Sequence, residues 1–222
     1  MRVYSVNVGM PQEISDAKRT VLSGIYKTPV GGRVMARRLN LDGDGQADLK
    51  GHGGEQRAVY AYPWVHYPQW ARSLSRDGFP PGAFGENLTV DDATEDEVCI
   101  GDRFRAGATL LEVTQPRPPC FKLGMMMGDP SFPKRFLKSG LVGFYLRVIE
   151  EGEIGAGDIM ELVAEGPERM SVRAISNLLH FEKDNLADAE RASRIPALSP
   201  GWRESFAERV KKGGDGTTGD SR

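Results

Sequence analysis

Thr109-Leu110-Leu111-Glu112-Val113-Thr114 runs directly into Gln115-Pro116-Arg117-Pro118-Pro119-Cys120-Phe121-Lys122. The first six residues, rich in Leu and Val, read as a strand. The three prolines that follow fix φ and remove backbone donors, so this segment reads as a stiff, irregular loop. The same alternation of short β-like run and turn fills the chain up to about residue 165. Further strands are expected at 3–8, 33–37, 58–62, 141–149 and 158–163, with turns at Asp42-Gly43-Asp44-Gly45 and Gly155-Ala156-Gly157-Asp158. Two helices interrupt, at 63–74 and 133–138, the first with proline in its opening turn. Many short strands with few helices predict a mainly β fold with some α, built as a β-barrel or a strongly bent sheet.

Beyond Pro167 the pattern changes. Val172, Ile175, Leu178 and Leu179 fall at helical spacing, 184–192 reads as a second short helix, and Ser199-Pro200 opens a third through about residue 212. Three short helices bury too little to stand alone, so they are expected to dock on the β core. The organisation read from the chain is therefore a β domain over 1–167, a three-helix domain over 168–212 and a disordered tail over 213–222, composed largely of Gly, Asp, Thr and Ser.

Composition removes several classes of function. A net charge of −2 over 222 residues gives no general attraction to nucleic acid or to a membrane surface. No run approaches the roughly 18 apolar residues of a membrane helix, and Met1–Gln12 lacks the apolar core of a secretory signal. A cytoplasmic location is the expectation. Two cysteines and three dispersed histidines supply neither a disulfide framework nor zinc-ligand spacing. Asp42–Asp48 has the spacing of a calcium loop but carries Ala47 where the turn needs glycine and Gly53 where a bidentate glutamate belongs, which rules that reading out.

Cys120 is the residue with chemistry to offer. Arg117 and Lys122 flank it with positive charge, which favours thiolate, the form that attacks electrophiles or ligates a soft metal. Cys99, in an apolar triplet ending at a turn, reads as an inert strand residue. Gly51-His52-Gly53-Gly54 can bring backbone amides close to an anion, and Arg57 just beyond offers a bidentate fork to phosphate or carboxylate. Glu86 and Asn87 either bond a ligand or cap a turn, Lys27 stands at a strand-to-loop transition, and Met125–Met127 reads as adaptable packing or a pocket wall.

Gln-Pro-Arg-Pro-Pro-Cys at 115–120, His-Gly-Gly-Glu-Gln-Arg-Ala at 52–58, Phe-Gly-Glu-Asn-Leu at 84–88 and Gly-Asp-Gly-Gln-Ala-Asp at 43–48 together resemble the MOSC domain. The helices after residue 168 are similar to the appendage of its YiiM-type subgroup, linked to resistance to 6-hydroxylaminopurine. The resemblance implies a β-barrel-like core and a molybdenum-pterin cofactor, with pyridoxal phosphate binding a further association of the family. It implies Cys120 as catalytic residue and molybdenum ligand, and Lys27, Thr28, His52, Arg57, Asn87, Arg117 and Lys122 as cofactor-binding residues. The activity it implies is oxygen removal from N-hydroxylated bases and related compounds, with electrons from a separate reductase. Two other readings stand beside it: a carrier of cofactor or persulfide sulfur without turnover, and a cysteine hydrolase using Cys120 and His52.

Overall fold

The computed structural model describes residues 1–16, 19–47 and 53–215. The strands β1 (Arg2–Val8), β2 (Gln12–Ser15), β3 (Thr20–Ser23), β4 (Thr28–Pro29), β5 (Arg33–Ala36) and β6 (Val59–Pro63) precede the helix α1 (Tyr67–Ser73). Then come β7 (Leu88–Asp91), β8 (Arg103–Ala106), β9 (Thr109–Pro116), α2 (Phe121–Met127), α3 (Phe132–Ser139), β10 (Phe144–Glu150), β11 (Gly152–Gly155) and β12 (Met160–Ala164). The helices α4 (Val172–His180), α5 (Leu186–Ser193) and α6 (Pro200–Asp215) complete the described chain.

Eight strands form one sheet in the order β12-β8-β9-β10-β6-β7-β1-β4, antiparallel throughout except for β6 beside β7. The expected barrel is therefore incomplete. The ladder is open, and among the described residues β1 and the approach to β12 meet only through the Arg2–Ile159 bridge and three backbone bonds: Val3 N to Asp158 O (2.9 Å), Gly157 N to Val3 O (2.8 Å) and Met160 N to Met1 O (3.0 Å). Past Met160, residues 161–164 are exposed and no further pairing joins them to β1 among the described residues. The sheet is barrel-like rather than closed.

Every residue of β9 is buried, because the strand is covered on both faces. Leu111 and Val113 enter a core shared with Val59, Phe144, Leu146 and Ile154, and α4 packs on the same strand. Val172, Ile175, Leu178, Ala189 and Phe206 belong to that core too, so the C-terminal helices dock on the sheet as their small apolar area requires. Ser171 caps α4, its Oγ accepting from Ala174 N at 3.1 Å, an interaction typically worth about 1 kcal/mol. A second, aromatic core lies under α1, α2 and α3, built from Tyr60, Tyr62, Tyr67, Trp70, Phe84, Phe132 and Phe136.

Several boundaries differ from the sequence expectation. Gln115 and Pro116 end β9 rather than begin a loop, and the chain after Cys120 turns straight into α2. The helix expected over 63–74 is a 3-10 turn at Trp64–His66 followed by α1, with Pro68 in its first turn. The last helix continues to Asp215, three residues into the stretch read as tail, because Gly213 packs against Leu186; residues 216–222 lie outside the described chain. No helix among the described residues is long and apolar enough to cross a membrane.

Candidate functional site

One end of the sheet gathers the polar residues. The end of β9, the starts of β6, β7 and β10, and the segments before β4 and after β5 all open there, so residues distant in sequence face a common cleft. Its wall holds Cys120 together with Lys27, Arg57, Asn87, Arg117 and Lys122. Six of the eight residues expected at the site are thus brought together. Thr28 is not among them: it is exposed on the two-residue strand β4, where it pairs with Val8. His52 lies outside the described residues, as does Gly51.

Cys120 is half-buried and occupies the position just before α2, with extended backbone (φ −120°, ψ 170°). Arg117, three residues earlier, is 5% exposed. Its guanidinium lies over the rings of Tyr60 (5.2 Å to the centroid) and Phe136 (5.5 Å), a cation–π arrangement in a dry setting. Burial works against its charge, but Tyr60, Tyr145 and Cys120 outweigh that effect and hold its pKa above the ordinary arginine value. Its Nη1 is buried and has no hydrogen-bond partner in the protein. A buried donor left unpaired is costly, so an unpaired arginine nitrogen on a cleft wall marks a place for an acceptor, and a charged one above all. Tyr60 and Tyr145 line the cleft beside it, and burial raises the pKa of both phenols.

Lys27 is not free to act alone. Its ammonium pairs with Asp44, whose Oδ1 also accepts from Gly9 N at 2.9 Å. The other carboxylate oxygen accepts from Asn87 Nδ2 at 2.9 Å. Asn87 Nδ2 also reaches Asn7 O, and its Oδ1 accepts from Tyr60 N at 3.1 Å, so the Asn87 amide is spent on holding Asp44 and the edge of β6. Sequence reasoning missed Asp44. In sequence its Asp-Gly-Asp-Gly run reads as a turn, as a rejected calcium loop and, over 43–48, as part of the family resemblance, and none of these marks Asp44 as the anchor of a buried lysine. The close approach behind it depends on Gly24, where a Cβ would collide with the Gly45 carbonyl.

Glu86 settles as a structural residue. Fully buried, it accepts from Tyr67 Oη, from the amides of Gly82 (2.7 Å) and Phe84 (3.0 Å), and from Thr89 Oγ1 (2.8 Å). Met127 is buried in the aromatic core with Met126 packed against it, so that run is packing rather than cleft wall. Cys99 forms an isolated bridge to Ser171, just before α4, and burial pushes its thiol pKa up, away from reactivity.

The donor set limits what the cleft can hold. Among the described residues no three His, Cys, Asp or Glu side chains converge as ligands for a bare ion. One thiol beside arginines and a lysine instead suits a metal that arrives with its own soft ligands and an anionic tail, and the unpaired Arg117 Nη1 supplies a position for that tail.

The MOSC domain model matches residues 48–161, just over half of the chain. The chain belongs to the MOSC family. A second model, the YiiM-like 3-alpha helix domain, matches 170–213, the region of α4, α5 and α6. The MOSC chain described here is 36% identical to protein YiiM of Escherichia coli over 193 residues, covering 86% of each. It is 34% identical to a protein of Gibberella moniliformis named reductase, over 79% of this chain but only 32% of that larger protein. Among solved structures it is similar to YiiM from Geobacillus stearothermophilus, with a TM-score of 0.81, 38% identity, and coverage of 94% of this chain and 98% of that one.

Proposed function

We propose that the cleft binds a molybdenum-pterin cofactor and that the protein is an oxidoreductase removing oxygen from N-hydroxylated bases and related compounds. The observation that carries this reading is the meeting, in one cleft, of Cys120 with the buried, unpaired Nη1 of Arg117. Membership of the MOSC family and the reductase relative support the redox assignment. When bound, the cofactor supplies the two-electron oxygen-transfer chemistry.

The chain's own residues have separable tasks. Cys120 offers a thiolate to the metal. Arg57, Arg117 and Lys122 neutralise the cofactor phosphate, Arg117 with a direction fixed by its aromatic stack. Lys27 contributes through a pair already neutralised by Asp44, so it positions more than it attracts. Overall the substrate N–OH takes two electrons and two protons and leaves as N–H and water. A separate reductase supplies the electrons.

The test is to purify the protein from a host that makes molybdenum cofactor and to quantify metal and pterin beside Cys120→Ser. Stoichiometric molybdenum and pterin, with metal lost or labile in the variant, is the expected result. Wild-type protein free of both, where a control molybdoenzyme loads, would overturn the reading in favour of a persulfide carrier.

A further inference from the structure

The aromatic core is also a line of rings that leads out of the cleft. Tyr145 and Tyr60 stand on the cleft wall with centroids 5.3 Å apart. Tyr60 leads to Tyr62 at 6.2 Å, Tyr62 to Tyr67 at 6.0 Å, and Tyr67 to Trp64 at 4.3 Å. Trp64 stacks on Tyr4 at 4.6 Å, and Tyr4 is 48% exposed on β1. Every ring in this series is tyrosine or tryptophan, the two aromatic side chains that lose an electron readily. The phenylalanines, Phe84 and Phe136 among them, sit beside the line and not in it.

The hydrogen bonds grade the steps. Tyr60 and Tyr62 donate only to the carbonyls of Val142 (2.8 Å) and Leu141 (3.1 Å), which cannot keep a proton, so these two rings serve as a bridge. Tyr67 differs, because its hydroxyl donates to the Glu86 carboxylate. Losing an electron there lets the phenol proton pass to Glu86 and leaves a neutral tyrosyl radical, with no charge separated in the core.

We propose that Tyr145, Tyr60, Tyr62, Tyr67, Trp64 and Tyr4 carry an electron vacancy from the cleft to the surface, clearing radicals that form beside Cys120. The source of the radical rests on the proposed function: when the N–OH bond takes only one of the two electrons that the separate reductase supplies, together with one proton from solvent, it cleaves to a nitrogen-centred radical and water. That radical takes one electron from Tyr67 through the bridge and one proton from solvent in the cleft, giving N–H. Tyr67 gives its phenol proton to Glu86. Trp64 then reduces the Tyr67 radical, which recovers its proton from Glu86. Tyr4 reduces oxidised Trp64 and releases its own phenol proton to water, leaving a surface radical that a soluble thiol can reduce.

The experiment needs neither cofactor nor substrate, so its failure would strike the relay and leave the proposed function standing. A ruthenium polypyridyl photo-oxidant is alkylated onto Cys120, its position confirmed by peptide mapping. It is flashed with hexaammineruthenium(III) as quencher and a nitroso spin trap in solution. Adducts at Tyr4 in the parent protein, lost in Trp64→Phe while the melting temperature is unchanged, are expected. Tyr67→Phe should abolish them too. Adducts at Tyr4 that survive Trp64→Phe, or oxidation confined to Tyr145 and Tyr60, would show that the rings are packing alone.

Discussion

The Lys27 ammonium and the Asp44 carboxylate are paired within the cleft wall, their side chains 7% and 2% exposed. A buried pair of this kind adds little net stability over an apolar replacement, but removing one partner strands the other charge. The pair also sets the charge the cleft presents. Lys27 and Asp44 cancel, so among the described residues Lys27 adds no net charge to the cleft wall that it shares with Arg57, Arg117 and Lys122.

Asp44→Ala should therefore destabilise the protein by about 3–5 kcal/mol, whereas Lys27→Met combined with Asp44→Leu should cost far less. Urea unfolding of the two variants checks this. Equal losses in both would mean that the Gly9 and Asn87 bonds to Asp44, and not the ion pair, hold the wall.

Arg117→Met should separate binding from stability. In the ligand-free protein Nη1 is an unpaired buried donor, so its removal should offset part of the lost cation–π contacts with Tyr60 and Phe136 and keep the fall in unfolding free energy below about 2 kcal/mol. Binding of a phosphate-bearing ligand should weaken by about 1.5–3 kcal/mol, the range for a hydrogen bond to a charged group. Calorimetric titration and thermal melting of the same variant measure both quantities. A large stability loss with unchanged binding would place Arg117 in the core and not in the site.

The contrast between Cys120 and Asp44 shows what sequence could and could not supply. Cys120 was legible because local chemistry marks it: prolines on one side and cations on both sides of a single thiol. The alternation of strand and turn likewise foretold β1, β6, β9 and β10, since a strand's period is written in consecutive residues. Asp44 and the unpaired nitrogen of Arg117 are products of distant segments meeting, Asp44 with Lys27 and Asn87, Arg117 with Tyr60 and Tyr145. No local pattern encodes such a meeting. The open seam beside β12 was hidden for the same reason, because closure depends on whether Met1–Val3 reaches Gly157–Met160. Thr28 lies outside the cleft wall, exposed at the start of β4, whereas Lys27 just before that strand lines the cleft.

The docking of the C-terminal helices should weaken in mild acid through His180, the last residue of α4. Its ring meets Trp202 of α6 edge-on at 6.4 Å. Burial, and then the nearby Lys183, hold its pKa below the ordinary histidine value of 6.5. The carbonyls at that helix end are already served by cations, Lys183 on Leu179 O and Arg209 on Leu178 O (2.7 Å), so an imidazolium gains little from the helix dipole. Well above pH 6.5 the ring is neutral in both states and exerts no pH effect. As pH falls below 6.5 the unfolded chain takes up the proton first, so stability declines until the lower folded pKa is passed and then levels. His180→Gln removes that slope while keeping a polar side chain of similar reach. Melting temperature followed downward from neutral pH should therefore fall more steeply in the wild type than in the variant, and parallel curves would place the acid sensitivity elsewhere in the fold.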